Sequence, residues 1–318
     1  MTVHHLDAVR GTVHGRFNRS LPPPIEIDPG DTVIYRTIDA GWGRGSQRIQ
    51  GEPPPDVGRD AELDLGHALT GPISVRGAQA GDVLEVEIKT LRPGRWGWTW
   101  AGPMTHLARP YTDLGEETTI GWHLDPNTGM ATDAEGRGIS VPLHPFMGVM
   151  GNAPAEAGDH STAPPRRVGG NLDCRELVSG STLWLPIEVD GALFSVGDGH
   201  GTQGDGEISG TAIECPMEHV ELAFQVRRDM RLSMPRARTL AGIVTFGLGD
   251  SLDDAAKQAI SGMLDYLEET LSVTRPEAAV LASLTVHLRV TQVVNGVVGV
   301  HGLLPPEAFH ITSAGSAQ

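Results

Sequence analysis

The chain is short of several residue types that mark large classes of protein. Its 318 residues include only 2 cysteines, Cys174 and Cys215, too few for a disulfide framework at this length. A reducing, cytoplasmic location is the economical expectation. With 3 tyrosines and 6 phenylalanines, no broad aromatic platform for a ligand is expected. Basic side chains are outnumbered, 24 Lys and Arg against 40 Asp and Glu, for a net charge of -16. Nucleic acid as a partner is excluded on that ground, because phosphate binding needs a basic footprint. The same field mildly repels anions over the surface as a whole and is indifferent to a neutral amide. No run approaches the roughly 18 apolar residues of a membrane span, so no membrane partner is expected. The opening segment "MTVHHLDAVRGTVHGRFNRS" has no apolar stretch of the kind found in a signal peptide. Also missing are a G-x-S-x-G elbow, a His-Glu-x-x-His helix, a Gly-Ser-Ser-Gly run and a P-loop.

Glycine and proline are plentiful, 41 and 23, and they demand many turns. Up to about residue 245 short alternating segments follow such turns, as in "DPGDTVIYRT" and "AQAGDVLEVEIKT". In "HVELAFQVRR", Val220, Leu222, Phe224 and Val226 fall on one face, opposite Glu221 and Gln225. Many short strands with Gly and Pro turns imply a mainly β fold, a sandwich or barrel. From about 246 to 318 the pattern becomes α+β. Leu252, Ala256, Ile260, Met263, Leu264, Leu267 and Leu271 form a helical stripe behind a Ser251–Asp254 start. A shorter helix begins at Thr274 with Glu277 completing its box, and "VHLRVTQVVNGVVGVHGLLP" reads as a hairpin on an Asn-Gly turn. The division at 245 is soft, with the two parts expected to pack as one unit.

Chemistry concentrates in "GDGHGTQGDGE", residues 197 to 207. On an extended backbone Asp198 and His200, two apart, project from one face and offer a carboxylate and an imidazole to one ion. Asp205 and Glu207 follow in the same turn, one suited to be a further ligand and the other a base. A turn rich in Asp-Gly with its acids in solvent is the plain alternative. "GGNLDCREL" delivers Asn171 and Asp173 in the same way, again with a self-bonded turn as the alternative. His67, in "GHALTGP", fits a ligand, an acid or a structural hydrogen bond. Cys174 is better read as a small buried apolar residue than as a nucleophile. "WGWTW", residues 96 to 100, is better read as strand packing than as a pocket wall. The long irregular segments 51–72 and 150–173 are candidates for functional loops.

Taken with "HALTGPISVRGAQAGDVLEVEI", "PFMGVMGNAP" and "LRVTQVVNGVVGVHGLLP", the run from "GNLDCREL" to "GDGHGTQGDGEISGTAIE" resembles the acetamidase/formamidase family. The resemblance covers about residues 13 to 305. It implies a jelly-roll-like β-sandwich with an α+β portion, a homo-oligomer, and hydrolysis of short aliphatic amides to ammonia and a carboxylate. It also implies a divalent metal, commonly zinc, near Asn171, Asp173, Asp198 and His200, with Glu207 and Glu214 close by. Ala68 and Ala80 stand where the family often has proline, and His287 where an acid is expected.

The expected mechanism follows from the poor leaving group of an amide. Zinc lowers the pKa of a water it binds to about 7. The expected ligands are Asp173, Asp198, His200 and Glu214. Glu207 is expected to act as base and later as proton donor to nitrogen. Asn171 would bond the carbonyl oxygen, and His67 is an outside candidate for ligand or acid. The competing expectations are a hydrolase of another C–N bond, such as a ring amide, and a non-catalytic small-molecule-binding sandwich with a structural metal.

Overall fold

The computed structural model describes residues 1–103 and 114–309, without the side chains of residues 46–48. Residues 310–318, the end of the expected C-terminal portion, lie outside the described residues. Two sheets face each other across one core. The larger has nine strands, in the order Val3–Asp7, Thr32–Thr37, Met217–Arg227, Val83–Pro93, Thr182–Pro186, Arg236–Thr239, Gly242–Gly249, Val298–Leu304 and His287–Gln292. The smaller runs Gly169–Asn171, Phe146–Gly151, Phe194–His200, Leu69–Val75 and Val13–His14, with Ile25–Ile27 parallel to Leu69–Val75. A separate four-stranded sheet contains Trp96–Ala101 at one edge. The mainly β sandwich expected from turn frequency is what the chain forms.

The alternation in Met217–Arg227 has its expected consequence. Val220, Leu222 and Phe224 are buried while Gln225 is exposed. Phe224 meets Phe194 of the smaller sheet edge to face, centroids 5.2 Å apart, so the two sheets interlock through aromatic rings. By contrast, Phe146–Gly151 and Phe194–His200 are buried at every position. Strands covered on both faces lose the alternating pattern and carry apolar residues and glycine instead.

The C-terminal elements extend the larger sheet. Helix α1 is the short segment Arg44–Gln50, α2 spans Leu252–Leu271 and α3 spans Arg275–Thr285. Ser251 caps α2 by accepting from the Asp254 amide at 3.2 Å. At α3, Glu277 Oε2 accepts from the Thr274 amide at 2.8 Å and from its hydroxyl at 2.7 Å. The hairpin pairs His287–Gln292 with Val298–Leu304 across Gly296, whose φ of 78° suits the turn.

The buried stripe of α2 differs from the expected one. Ala255, Ala259, Met263 and Leu267 face the sheet, while Ile260 is 38% exposed. The reason is distance, not hydrophobicity. The helix lies so close to the strand Gly242–Gly249 that a methyl group on Gly247 would overlap the Ala255 carbonyl and come within 2.5 Å of the Ala259 amide. Only small residues fit such an approach, so alanines take the face that larger side chains would otherwise hold. Gly247→Ala should therefore destabilise the fold by about 3 kcal/mol, at the upper end of overpacking costs. Urea unfolding checks this; a change under about 1 kcal/mol contradicts the close approach.

Candidate functional site

The smaller sheet and two loops bring the acids together. Phe146–Gly151 pairs with Phe194–His200, Val149 opposite Gly197 and Met147 opposite Gly199, which sets Asp198 against Gly148. A Cβ on Gly148 would lie 2.6 Å from Asp198 Oδ2, 2.7 Å from Asp173 Oδ1 and 2.8 Å from His200 Cε1. Gly148 is thus the floor of the cluster. Asp198 reaches it by an unusual backbone, with φ of 58°, rather than by the plain extended alternation expected from the sequence. Asp173 and Glu207 share the trait, with φ of 49° and 47°. Non-glycine residues rarely adopt this region, and at functional sites the cost aims a side chain.

Donor atoms from Asp198, His200 and Glu214 lie within 4.8 Å of one another, as do those from Asp173, His200 and Glu207. His200 is common to both groups. Its Nε2 is 3.3 Å from Asp198 Oδ1 and 3.4 Å from Glu214 Oε2, with hydrogen-bond alignment to neither. Asn171 Oδ1, Asp173 Oδ1, Asp198 Oδ1, His200 Nε2 and Glu214 Oε2 are all buried without a hydrogen-bond partner. Buried polar atoms are normally satisfied, so this convergence of acceptors and one imidazole nitrogen fits a cation.

The surroundings orient these groups. Gln203 Nε2 donates to the Asp173 carbonyl at 2.9 Å, which turns its Oε1 toward His200 Nδ1 at 3.0 Å. An accepting Oε1 requires a proton on Nδ1, and that frees the Nε2 lone pair of the neutral ring. Asn295, from the C-terminal hairpin, donates to Asp173 Oδ2 at 2.5 Å. The hairpin also holds the loop that carries Glu207, through Gly206 to the Thr291 carbonyl and Val293 to the Gly206 carbonyl, both 3.1 Å. Glu214 is fixed between two strands, its amide donating to Trp98 and its Oε1 accepting from the Ala212 amide. Neither Gly148 nor Asn295 stood out in the sequence as a site residue, and Gln203 did so only as a polar member of the glycine-rich run, with no role assigned. Gly148 lies in the run "PFMGVMGNAP", but a glycine's lack of side chain has no local signature.

Burial dominates the electrostatics. It raises Glu214 to about 8 and Asp173 to about 6, the latter also through the charge of Asp198. Glu207 is pushed well above the carboxylate range by burial and by Asp173. For Asp198 burial acts upward too, yet the charges of His200 and His67 outweigh it and hold the carboxyl below its ordinary value. His200 is the reverse: burial would lower it, but Glu214 and Asp198 raise it well above the imidazole range. Without an ion, a proton on His200 offsets part of the acids' charge.

Other residues singled out from the sequence fall as follows. Asn171 ends the strand Gly169–Asn171 and donates from Nδ2 to the Ala163 carbonyl at 3.1 Å. His67 is half-buried on the cavity wall, with Nδ1 against Thr162 Oγ1 at 2.9 Å. Asp205 turns away from the cluster to Arg289, 2.9 Å from its Nε. Cys174 is fully buried beside Glu176, and burial pushes its thiol well up, so it is no nucleophile. Cys174, Glu176 and His301 also have donor atoms in close reach of each other. The Arg289 guanidinium, 2.6 Å from Glu176 Oε1, already supplies that carboxylate with a cation. The cluster opens into a cavity of about 950 Å³ lined by His67, Trp42, Trp98, Trp100 and both irregular loops. Trp98 and Trp100 thus form a wall, where strand packing was expected: two apart on one strand, they project from the same face onto the cavity.

The family model described as "Acetamidase/Formamidase family" matches residues 3–159 and 155–311. Among curated proteins, the chain is 29% identical to a formamidase of Methylophilus methylotrophus over 248 residues, 63% of this chain and 60% of that one. The chain spans about 60% of the length of the curated relatives it matches. Solved structures align more completely. A predicted acetamidase/formamidase from Thermoanaerobacter tengcongensis superposes with a TM-score of 0.83 at 26% identity, over 96% of each chain. An acetamidase from Bacillus halodurans gives 0.81 at 30% identity, over 95% of this chain and 97% of the other.

The cluster's charge balance has a measurable consequence between pH 6.5 and 8. Glu214 and His200 both have folded pKa values above their unfolded ones. Protons held by the folded state are released on unfolding, so this stability is present at low pH and lost as pH rises. Asp198, held low, contributes evenly across the window, and His14, lowered to about 4, offsets only a small part of the fall as the unfolded imidazole loses its remaining proton above 6.5. In chelator, unfolding free energy should fall by about 2 kcal/mol or more from pH 6.5 to 8. Excess zinc should remove or reverse that slope. Flat stability in chelator would show that the acids are not stacked as described.

Proposed function

Given that the chain belongs to the acetamidase/formamidase family, we propose that it hydrolyses a primary amide to ammonia and a carboxylate at the buried acid–imidazole cluster. The observation that carries this is the set of buried, partnerless oxygen and nitrogen atoms at the end of a cavity. Asp198, His200 and Glu214 would hold a divalent ion, with Asp173 beside them. One imidazole with carboxylates is a donor set suited to zinc. Such an ion supplies Lewis acidity, acidifying water and polarising a carbonyl.

The chain's own groups do the rest. Glu207, buried beside these ligands, would be ionised once a divalent charge offsets its neighbours; it then accepts a proton from the attacking water and returns it to the departing nitrogen. The water oxygen becomes bonded to carbon, the C–N bond breaks and nitrogen leaves as ammonia. Asn171 has one Nδ2 proton engaged by Ala163 and a free Oδ1. Its second Nδ2 proton suits the carbonyl oxygen, and the free Oδ1 suits the substrate's N–H. His67 makes no hydrogen bond from Nε2 to the described residues and is placed to donate as an acid. Exposed apolar residues Val280 and Leu284, four apart on α3, and Leu288 on the adjoining edge strand support a homo-oligomer. Free, buried Cys174 and Cys215 support a reducing cytoplasm, and no helix among the described residues is long and apolar enough to cross a membrane.

Ammonia release from formamide and acetamide should disappear on chelation and return with zinc. Glu207→Gln should lower kcat by at least about 10²-fold, the usual worth of a general base, while the metal stays bound. The same preparation should sediment above the 33.8 kDa of one chain. A Glu207→Gln enzyme with near wild-type kcat would remove Glu207 from the mechanism.

A further inference from the structure

The cavity is larger than acetamide requires. It is an open cleft of about 950 Å³ that is lined by the buried acids and by the exposed Arg44. Acetamide has four non-hydrogen atoms and, at the roughly 30 Å³ share of a liquid water for each, fills roughly an eighth of it. Cavities of this size take much larger ligands. The walls have a definite chemistry. Trp98 and Trp100 alternate on one strand and so share the face turned to the cavity. The Trp98 ring is fixed by Nε1 donating to Asp39 Oδ2 at 2.9 Å. Leu63 and Leu65, 45% and 75% exposed, continue the apolar lining toward solvent.

The charge at this end opposes that of the whole chain. In a protein of net charge -16, Arg44 makes no ion pair among the described residues. Arg59 lies over the Trp42 ring at 4.9 Å and spends its donors on a neutral acceptor, the Asp64 carbonyl, at 2.9 and 2.8 Å. Burial and the charge of Arg44 act against Arg59's own charge, and the nearby Asp64 carboxylate offsets them only in part, leaving Arg59 below the ordinary guanidinium value. Arg16, also on the lining, is already neutralised by Asp64 and Asp159.

We propose that Arg44 and Arg59 form a carboxylate subsite, and that the substrate is a primary amide of an aromatic acid bearing a carboxylate on the far side of the ring. This rests on the amidase reading of the cluster. The field along the cavity sets the orientation. The acids at the deep end repel a carboxylate and tolerate a neutral amide, while the guanidinium pair attracts the carboxylate and the indoles receive the ring. A small aliphatic amide is accepted but leaves the outer cavity unused.

The test compares kcat/KM for acetamide, benzamide and 4-carbamoylbenzoate, in wild type and Arg44→Met, at low and high salt. Benzamide should exceed acetamide by at least about tenfold from ring burial. 4-Carbamoylbenzoate should exceed benzamide by about tenfold more, an advantage that shrinks with salt and is lost in Arg44→Met. A second readout needs no turnover: tryptophan fluorescence of the metal-free protein should show saturable, salt-sensitive quenching by 4-carbamoylbenzoate, weakened in Arg44→Met. Acetamide hydrolysis with neither aryl preference nor saturable quenching overturns the subsite and leaves the amidase standing. Quenching as described with no ammonia from any amide supports the subsite and overturns the amidase. Equal ratios in wild type and Arg44→Met overturn the role of the arginine.

Discussion

Asp198 and Glu214 lie within 3.4 Å of one imidazole nitrogen in the protein interior, and donor atoms of Asp173 and Glu207 lie within 4.8 Å of the same histidine's. So many buried carboxylates repel one another strongly, and low polarity magnifies the repulsion. Without an ion, protons on His200, Glu214 and Glu207 offset the charge. A divalent cation would do so with less loss, since partnerless atoms of Asp198, His200 and Glu214 belong to side chains whose donor atoms lie within 4.8 Å of one another. Much of the local structure exists to hold this unfavourable arrangement together.

The sandwich provides that support from several directions. The doubly covered strand Phe194–His200 gives Asp198 and His200 a rigid base, and Phe146 packs edge-on against the His200 ring at 4.9 Å. Left-handed backbone at Asp173, Asp198 and Glu207 is sustained only because neighbouring strands and the C-terminal hairpin pin the flanking residues. Asn295 and Gln203 then fix a carboxylate and a ring. Strands on both sides of residue 245 join one nine-stranded sheet, so the hairpin that supports the site is anchored by the body of the fold.

Much of this was legible in the sequence, for identifiable reasons. Turn residues and alternation gave away the strand Met217–Arg227 and the hairpin, because side-chain period and turn chemistry are local properties. Asp-x-His and Asn-x-Asp flanked by glycines marked the right segments, since few other structures need ligand-type side chains on so permissive a backbone. Distance-dependent features were hidden. The rotated face of α2 depends on Gly247 in another strand, and the role of Gly148 depends on three side chains that meet over it. Asn295 reads locally as a turn residue, and only the folded chain brings it to Asp173. Asp205 and Glu207 look equivalent in sequence; Arg289 claims the first and leaves the second in the cluster.

The central claim is that charge compensation at His200 and its acids is achieved by a bound ion. Elemental analysis of the purified protein, beside Gly148→Ala, tests it most directly. The account predicts a stoichiometric divalent metal in the wild type and its loss in Gly148→Ala, whose methyl group would intrude on Asp173, Asp198 and His200. A folded wild-type chain that takes up no divalent metal after dialysis against micromolar zinc would contradict it.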